Sequence, residues 1–97
     1  MKLEQEVIEW AADKGILTKA TPYKQAQKTL EECGELLYAI GADEPDEIID
    51  AIGDIVVTLI IQCEMQGLKI EDCLYRAYNV IKNRSGVMRD GQFCKDK

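Results

Sequence analysis

The sequence predicts an all-α fold: a four-helix bundle that oligomerises through its central helices and ends in an irregular C-terminal tail. Three observations carry this reading. Apolar residues recur at steps of three and four, with no sustained apolar/polar alternation to suggest strands. Glycine and proline punctuate the chain at Gly15, Pro22, Gly41, Pro45 and Gly67, which divides it into helix-length segments. The run "IVVTLII" from Ile55 to Ile61 is apolar on nearly every side of a helix, so other helices must enclose it. At 97 residues the chain is expected to be one domain, 1–97, near the lower limit for a self-sufficient core. Few short helices can cover such a run, and an uncovered stripe of Val and Ile promotes association, so a dimer or tetramer of identical chains is expected.

The elements follow in chain order. The first helix runs from Lys2 to Lys14 and stops at Gly15, which can take the left-handed conformation that terminates helices. Thr21 and Pro22 read as N-cap and first residue of the second helix, which ends near Gly41. The third starts around Pro45 and reaches Gly67; the fourth begins near Ile70 and ends at about Arg84. From Ser85 the segment "SGVMRDGQFCKDK" reads as irregular, broken by Gly86 and Gly91. Trp10 is expected to pack in the core.

Composition excludes several roles. A net charge of −6 and a pI near 4.6 argue against a protein that coats nucleic acid, which needs cations to displace counterions from phosphates. The amino-terminal residues carry acids from Glu4 onward and do not resemble a secretory signal, and no apolar run is long enough to span a membrane. A cytoplasmic protein is expected. Cys33, Cys63, Cys73 and Cys94 form no C-x-x-C pair, and histidine is absent, so neither a zinc site nor a disulfide framework is indicated. Reduced cysteines serving as small hydrophobes are expected.

The segment from Glu31 to Asp54, "EECGELLYAIGADEPDEIIDAIGD", holds nine of the eighteen carboxylates and no Lys or Arg. At about 100° per residue, Glu47, Asp50 and Asp54 fall on one arc of the third helix, while Glu31, Glu32 and Glu35 cluster on one side of the second. The arc through Asp50 and Asp54 continues as Val57 and Ile61, which places these acids at the mouth of an enclosed region. Carboxylates gathered there repel one another and take up protons unless a hard divalent cation binds them. Magnesium suits an all-oxygen set, with manganese as a substitute; without histidine, redox iron does not.

Three stretches together resemble a known family: "QAQKTLEECGEL" (Gln25 to Leu36), "DEIIDAIGDIVVTL" (Asp46 to Leu59) and "YNVIKNR" (Tyr78 to Arg84). They look like the all-α nucleoside triphosphate pyrophosphohydrolases of MazG type, in particular the small single-domain proteins of bacteria and phages. That family carries E-E-x-x-E on one helix and E-x-x-D on the next. The first motif maps to Glu31, Glu32 and Glu35. The second maps literally to Glu47 and Asp50, or to Asp54 with Ala51 where Glu is expected; Glu32, Glu35, Asp50 and Asp54 are taken as the metal ligands and Glu31 as the candidate general base. The resemblance implies magnesium-dependent hydrolysis of a (d)NTP to the monophosphate and pyrophosphate, with a role in nucleotide-pool sanitation. It assigns Lys28, Asn79, Lys82 and Arg84 to the nucleotide, and places active sites near a subunit interface. Trp10, Tyr23 and Tyr38 are candidates for stacking on the base. A dUTP-, dCTP- or phosphoribosyl-ATP-directed enzyme stays open, as does an acidic adaptor that kept the fold without the activity.

Overall fold

Two long helices form the spine of the molecule, which is described for residues 2–97 in a computed structural model. They are α3 (Pro22–Gly41) and α4 (Pro45–Met65), connected by residues 42–44 and packed along their length. The chain enters α3 as the sequence requires: the Thr21 hydroxyl accepts the Lys24 N–H at 3.2 Å, and Pro22 occupies the first turn. Asp43 makes the turn into α4 with a left-handed φ of 55°, a conformation that aspartate tolerates better than most residues.

Before the spine come α1 (Lys2–Asp13) and the short α2 (Ile16–Lys19), both lying against α4. Gly15 separates them with φ 78°, the left-handed terminator expected after the first helix. The additional turn of α2 lay outside the four-helix reading. After the spine, α5 (Ile70–Ile81) stops three residues short of Arg84.

The core is small and lies where α3 meets α4 and α1. Ala39 and Ala51 are buried, and their methyl groups let the two long backbones approach closely. Ala11, Ile60 and Ile61 complete the buried apolar set. Register along the spine is fixed by a polar network. The Gln25 amide donates to the Thr58 carbonyl at 3.2 Å, and the Thr29 hydroxyl lies 2.9 Å from the Thr58 hydroxyl, which gives its own proton to the Ile55 carbonyl at 2.7 Å. Gln62 donates to the Pro22 carbonyl at 2.8 Å at the other end. A buried hydroxyl left unpaired costs roughly 1–3 kcal/mol, so this network disfavours sliding of one helix along the other.

The run from Ile55 to Ile61 is covered on one side only. Thr58, Ile60 and Ile61 are buried, whereas Val56 and Leu59 remain exposed. Along α5 only Ile70 and Asn79 are partly covered, and Leu74, Tyr75, Tyr78, Val80 and Ile81 face outward. Trp10 also departs from the core placement expected for it, with about half its surface (49%) exposed.

The tail is a β-hairpin, which corrects the irregular reading. Strands β1 (Gly86–Arg89) and β2 (Gln92–Lys95) pair antiparallel, Val87 opposite Cys94 and Met88 opposite Phe93. Asp90 and Gly91 form the turn with φ of 49° and 80°, the two positive values a tight hairpin turn demands. The Ser85 hydroxyl donates to the Asp96 carboxylate at 2.7 Å and closes its base. Among the described residues the hairpin packs on no helix. A Cβ at Gly86 would collide with the Cys94 carbonyl and the Phe93 ring. Gly86→Ala is therefore expected to abolish the cross-strand amide contacts seen by NMR while leaving the helical circular dichroism unchanged; lost helicity would show that the hairpin supports the helices.

Candidate metal centre

Three carboxylates converge across the spine. Glu32 and Glu35 of α3 and Asp54 of α4 each offer an oxygen, and these oxygens lie within 4.8 Å of one another. The spacing explains the grouping, since positions 32 and 35 are almost one turn apart on one helix and α4 crosses that face with Asp54.

The three acids sit in different surroundings. Glu32 is buried, with one oxygen 3.5 Å from the Lys28 ammonium and the other buried without a hydrogen-bond partner. A carboxylate oxygen in that state is destabilised unless a donor or cation reaches it. Glu35 is exposed, yet its carboxyl is pushed above the ordinary range, chiefly by the charge of neighbouring Glu32. Burial and Glu31 add to the rise, and Lys28 opposes it.

Lys28 is bound into the cluster. Its ammonium lies 3.6 Å from Glu31 and 3.5 Å from Glu32, and these two charges, Glu31 first, raise its pKa. The acids of the second helix thus have a basic neighbour, one turn before the segment that lacks Lys and Arg. Glu31 points to solvent beside the cluster and is paired with Lys28.

Two hollows flank the cluster. The first, about 250 Å3, is lined by Glu35, Glu44, Glu47, Asp50 and Asp54, with Ala39 and Ala51 among its walls. Both alternatives for the second motif therefore face one cleft, because positions 47, 50, 51 and 54 share a helix face. Asp54 joins the three-acid cluster; Asp50 and Glu47 line the cleft beside it. Glu44, next to the turn, is a cleft acid that the motif search missed; its nearness to the other acids depends on the turn and has no signature in helix periodicity.

The second hollow, about 240 Å3, lies between the spine and the amino-terminal helices. Trp10, Ile16, Val57 and Ile61 give it an apolar wall, and Gln25, Lys28, Glu32 and Asp54 its polar one. Tyr23 and Tyr38 are highly exposed and line neither hollow. Asn79 lies on α5, Lys82 caps it, and Arg84 follows in the turn to β1. None of these three lines either hollow within one chain.

An acidic cleft built across two helices, with hard oxygen donors from both, defines a helical carboxylate cluster suited to a divalent cation. A family model of the MazG nucleotide pyrophosphohydrolase domain matches residues 20–87, which takes in both acidic helices and α5. The chain belongs to that family. It is also similar to an uncharacterised 18.2 kDa protein from the rep-hol intergenic region of Haemophilus phage HP1 (strain HP1c1), with 38% identity over 60 residues. That alignment takes in 62% of this chain and 37% of the phage protein. No solved structure matches the chain. Among the described residues no helix is long and apolar enough to cross a membrane.

The raised Glu35 carboxyl has a thermodynamic sign. The folded protein holds this proton more tightly than the unfolded chain does. The stability it confers is fully present below the ordinary value of 4.5 and is lost as pH rises through the folded value. In chelator, wild-type melting temperature should therefore fall more steeply than that of Glu35→Gln as pH is raised through that window; parallel curves would contradict the repulsion between Glu32 and Glu35.

Proposed function

We propose that the protein is a magnesium-dependent pyrophosphohydrolase that cleaves a (d)NTP to the monophosphate and pyrophosphate, in nucleotide-pool sanitation in the cytoplasm. The observation that carries this reading is the buried, unpartnered oxygen of Glu32, whose carboxylate converges with those of Glu35 and Asp54, in a chain of the nucleotide pyrophosphohydrolase family. The donor set fits the ion: all oxygens, no histidine or thiol, and repulsion that a cation relieves. Glu32, Glu35 and Asp54 would hold it, with Asp50 available from the same cleft, and manganese would substitute. When bound, magnesium supplies the positive charge and Lewis acidity that phosphoryl transfer to water requires.

The chain's own residues supply the rest. Lys28 holds one oxygen of Glu32 and leaves the other without a hydrogen-bond partner. Glu31, exposed beside the ligands, takes the proton of the attacking water. The Trp10 hollow receives the base, where stacking on the indole contributes roughly 1–3 kcal/mol. Asn79, Lys82 and Arg84, which line neither hollow of their own chain, act on the phosphates held by a second copy.

The protomer's surface supports that second copy. Its 7777 Å2 of accessible area exceeds the about 5,600 Å2 typical of a 10.9 kDa monomer. Its radius of gyration of 15.7 Å likewise exceeds the about 12.5 Å typical of this length. Much of the excess is apolar, with Ile52, Val56 and Leu59 forming one stripe on α4 and Leu74, Tyr75 and Tyr78 exposed on α5. Burying it in a dimer or tetramer removes an aggregation hazard.

Three measurements test this reading. Pyrophosphate release from a panel of dNTPs and NTPs should require magnesium, and Glu35→Gln or Asp54→Asn should each lower it ~100-fold or more with helicity retained. Wild-type turnover in either variant would remove the metal assignment. Ala51, standing in the cleft where the family motif has Glu, favours one alternative, an acidic adaptor without activity; no turnover of any nucleotide by a folded wild type would select it. Sedimentation should show a dimer or larger species at micromolar concentration, and a monomer that hydrolyses nucleotides would contradict the apolar-surface argument.

A further inference from the structure

Cys63 lies in the last turn of α4 and Cys73 in the first turn of α5, and their sulfurs are 3.9 Å apart. Both backbones are anchored where they face each other. The Cys63 carbonyl accepts the N–H groups of Gln66 and Leu68, at 3.0 and 2.8 Å, closing the connection that turns at Gly67 with φ 70°. The Cys73 N–H donates to the Lys69 carbonyl at 3.2 Å. A bonded pair needs its sulfurs about 2.05 Å apart, so side-chain rotation on these fixed frames has less than 2 Å to close. The other cysteines lie elsewhere, Cys33 on α3 and Cys94 on the hairpin.

We propose that Cys63 and Cys73 are a thiol-oxidation site that closes reversibly to an intramolecular disulfide when the protein meets a small disulfide such as oxidised glutathione. The reading is independent of nucleotide hydrolysis. Cys73 is exposed and reacts first. Its thiolate attacks one sulfur of glutathione disulfide; the glutathione S–S bond breaks, Cys73 becomes a mixed disulfide, and one glutathione leaves as thiol. The Cys63 sulfur then attacks the Cys73 sulfur and displaces the second glutathione, which carries away the Cys63 proton. Two electrons pass from the two protein thiols to glutathione disulfide, giving one protein disulfide and two molecules of glutathione. Burial, then the neighbouring Cys73, pushes the Cys63 thiol up, in keeping with its acting second. The bond would staple the start of α5 to the end of α4, and within one chain α5 has little else to hold it, since nearly all its residues are exposed there.

The test treats the reduced full-length protein with glutathione disulfide, blocks remaining thiols under denaturing conditions and maps the peptides by mass. The expected product is a Cys63–Cys73 link within one chain that dithiothreitol reverses, with slower amide hydrogen exchange in α5. Cys73→Ser, a change at an exposed position, should lose both the link and the slowed exchange. Free thiols at 63 and 73 after treatment, or links to Cys33, to Cys94 or between chains in their place, would overturn the proposal. Formation of the link with unchanged exchange in α5 would overturn the stapling.

Discussion

The close approach of α3 and α4 is the constraint on which the rest of the molecule depends. Ala39 and Ala51 permit it, because larger side chains in those buried positions would force the backbones apart. Gln25, Thr29 and Thr58 set its register, since sliding α4 by one residue would leave the Thr58 hydroxyl and carbonyl without their partners from α3. Thr58 is one helical turn beyond Asp54, and Gln25 is two turns before Glu32. The apolar and polar contacts that define the core therefore also place Asp54 opposite Glu32 and Glu35.

Bringing those carboxylates together opposes folding, and the structure shows where the tension lies. Lys28 offsets part of it by pairing with Glu31 and Glu32, but it reaches one oxygen of Glu32 and leaves the other buried without a partner. Glu35 responds by holding its proton more tightly. On the proposed function, stability and cation binding pull in opposite directions at this site, as expected where binding relies on groups that the unliganded fold accommodates poorly. The contrast between the two hollows has the same origin. α4 carries acids along one face in its first half and valine and isoleucine on that face in its second, so one side of the cluster is acidic and the other largely apolar.

Much of this was legible in the sequence where a local rule governs. Thr21–Pro22, Gly15 and Gly67 mark boundaries through cap and turn chemistry, and helical periodicity alone aligns Glu47, Asp50 and Asp54. What escaped depends on tertiary context or on a rule of shorter range. The hairpin was signalled by Asp90–Gly91 between two short β-prone runs, but Gly86 and Gly91 read as breakers when each was weighed singly. Trp10 is a core residue by type; its position beside the second hollow follows from the packing of α1 on α4, which sequence does not encode locally. Lys28, expected on the nucleotide, also pairs with Glu31 and Glu32, because the helix brings the preceding turn into contact with them.

The apolar stripe on α4 and the outward side chains of α5 show that one chain does not complete its own enclosure, yet the acidic cluster is assembled within that chain. The central claim is that Glu32, held by Lys28 on one side and orphaned on the other, anchors a divalent cation together with Glu35 and Asp54. Equilibrium titration with manganese followed by electron paramagnetic resonance, in wild type and Glu32→Gln, tests it most directly. The account predicts saturable binding in the wild type that magnesium displaces and that Glu32→Gln loses while remaining folded. Equal manganese affinity in the two proteins would contradict it.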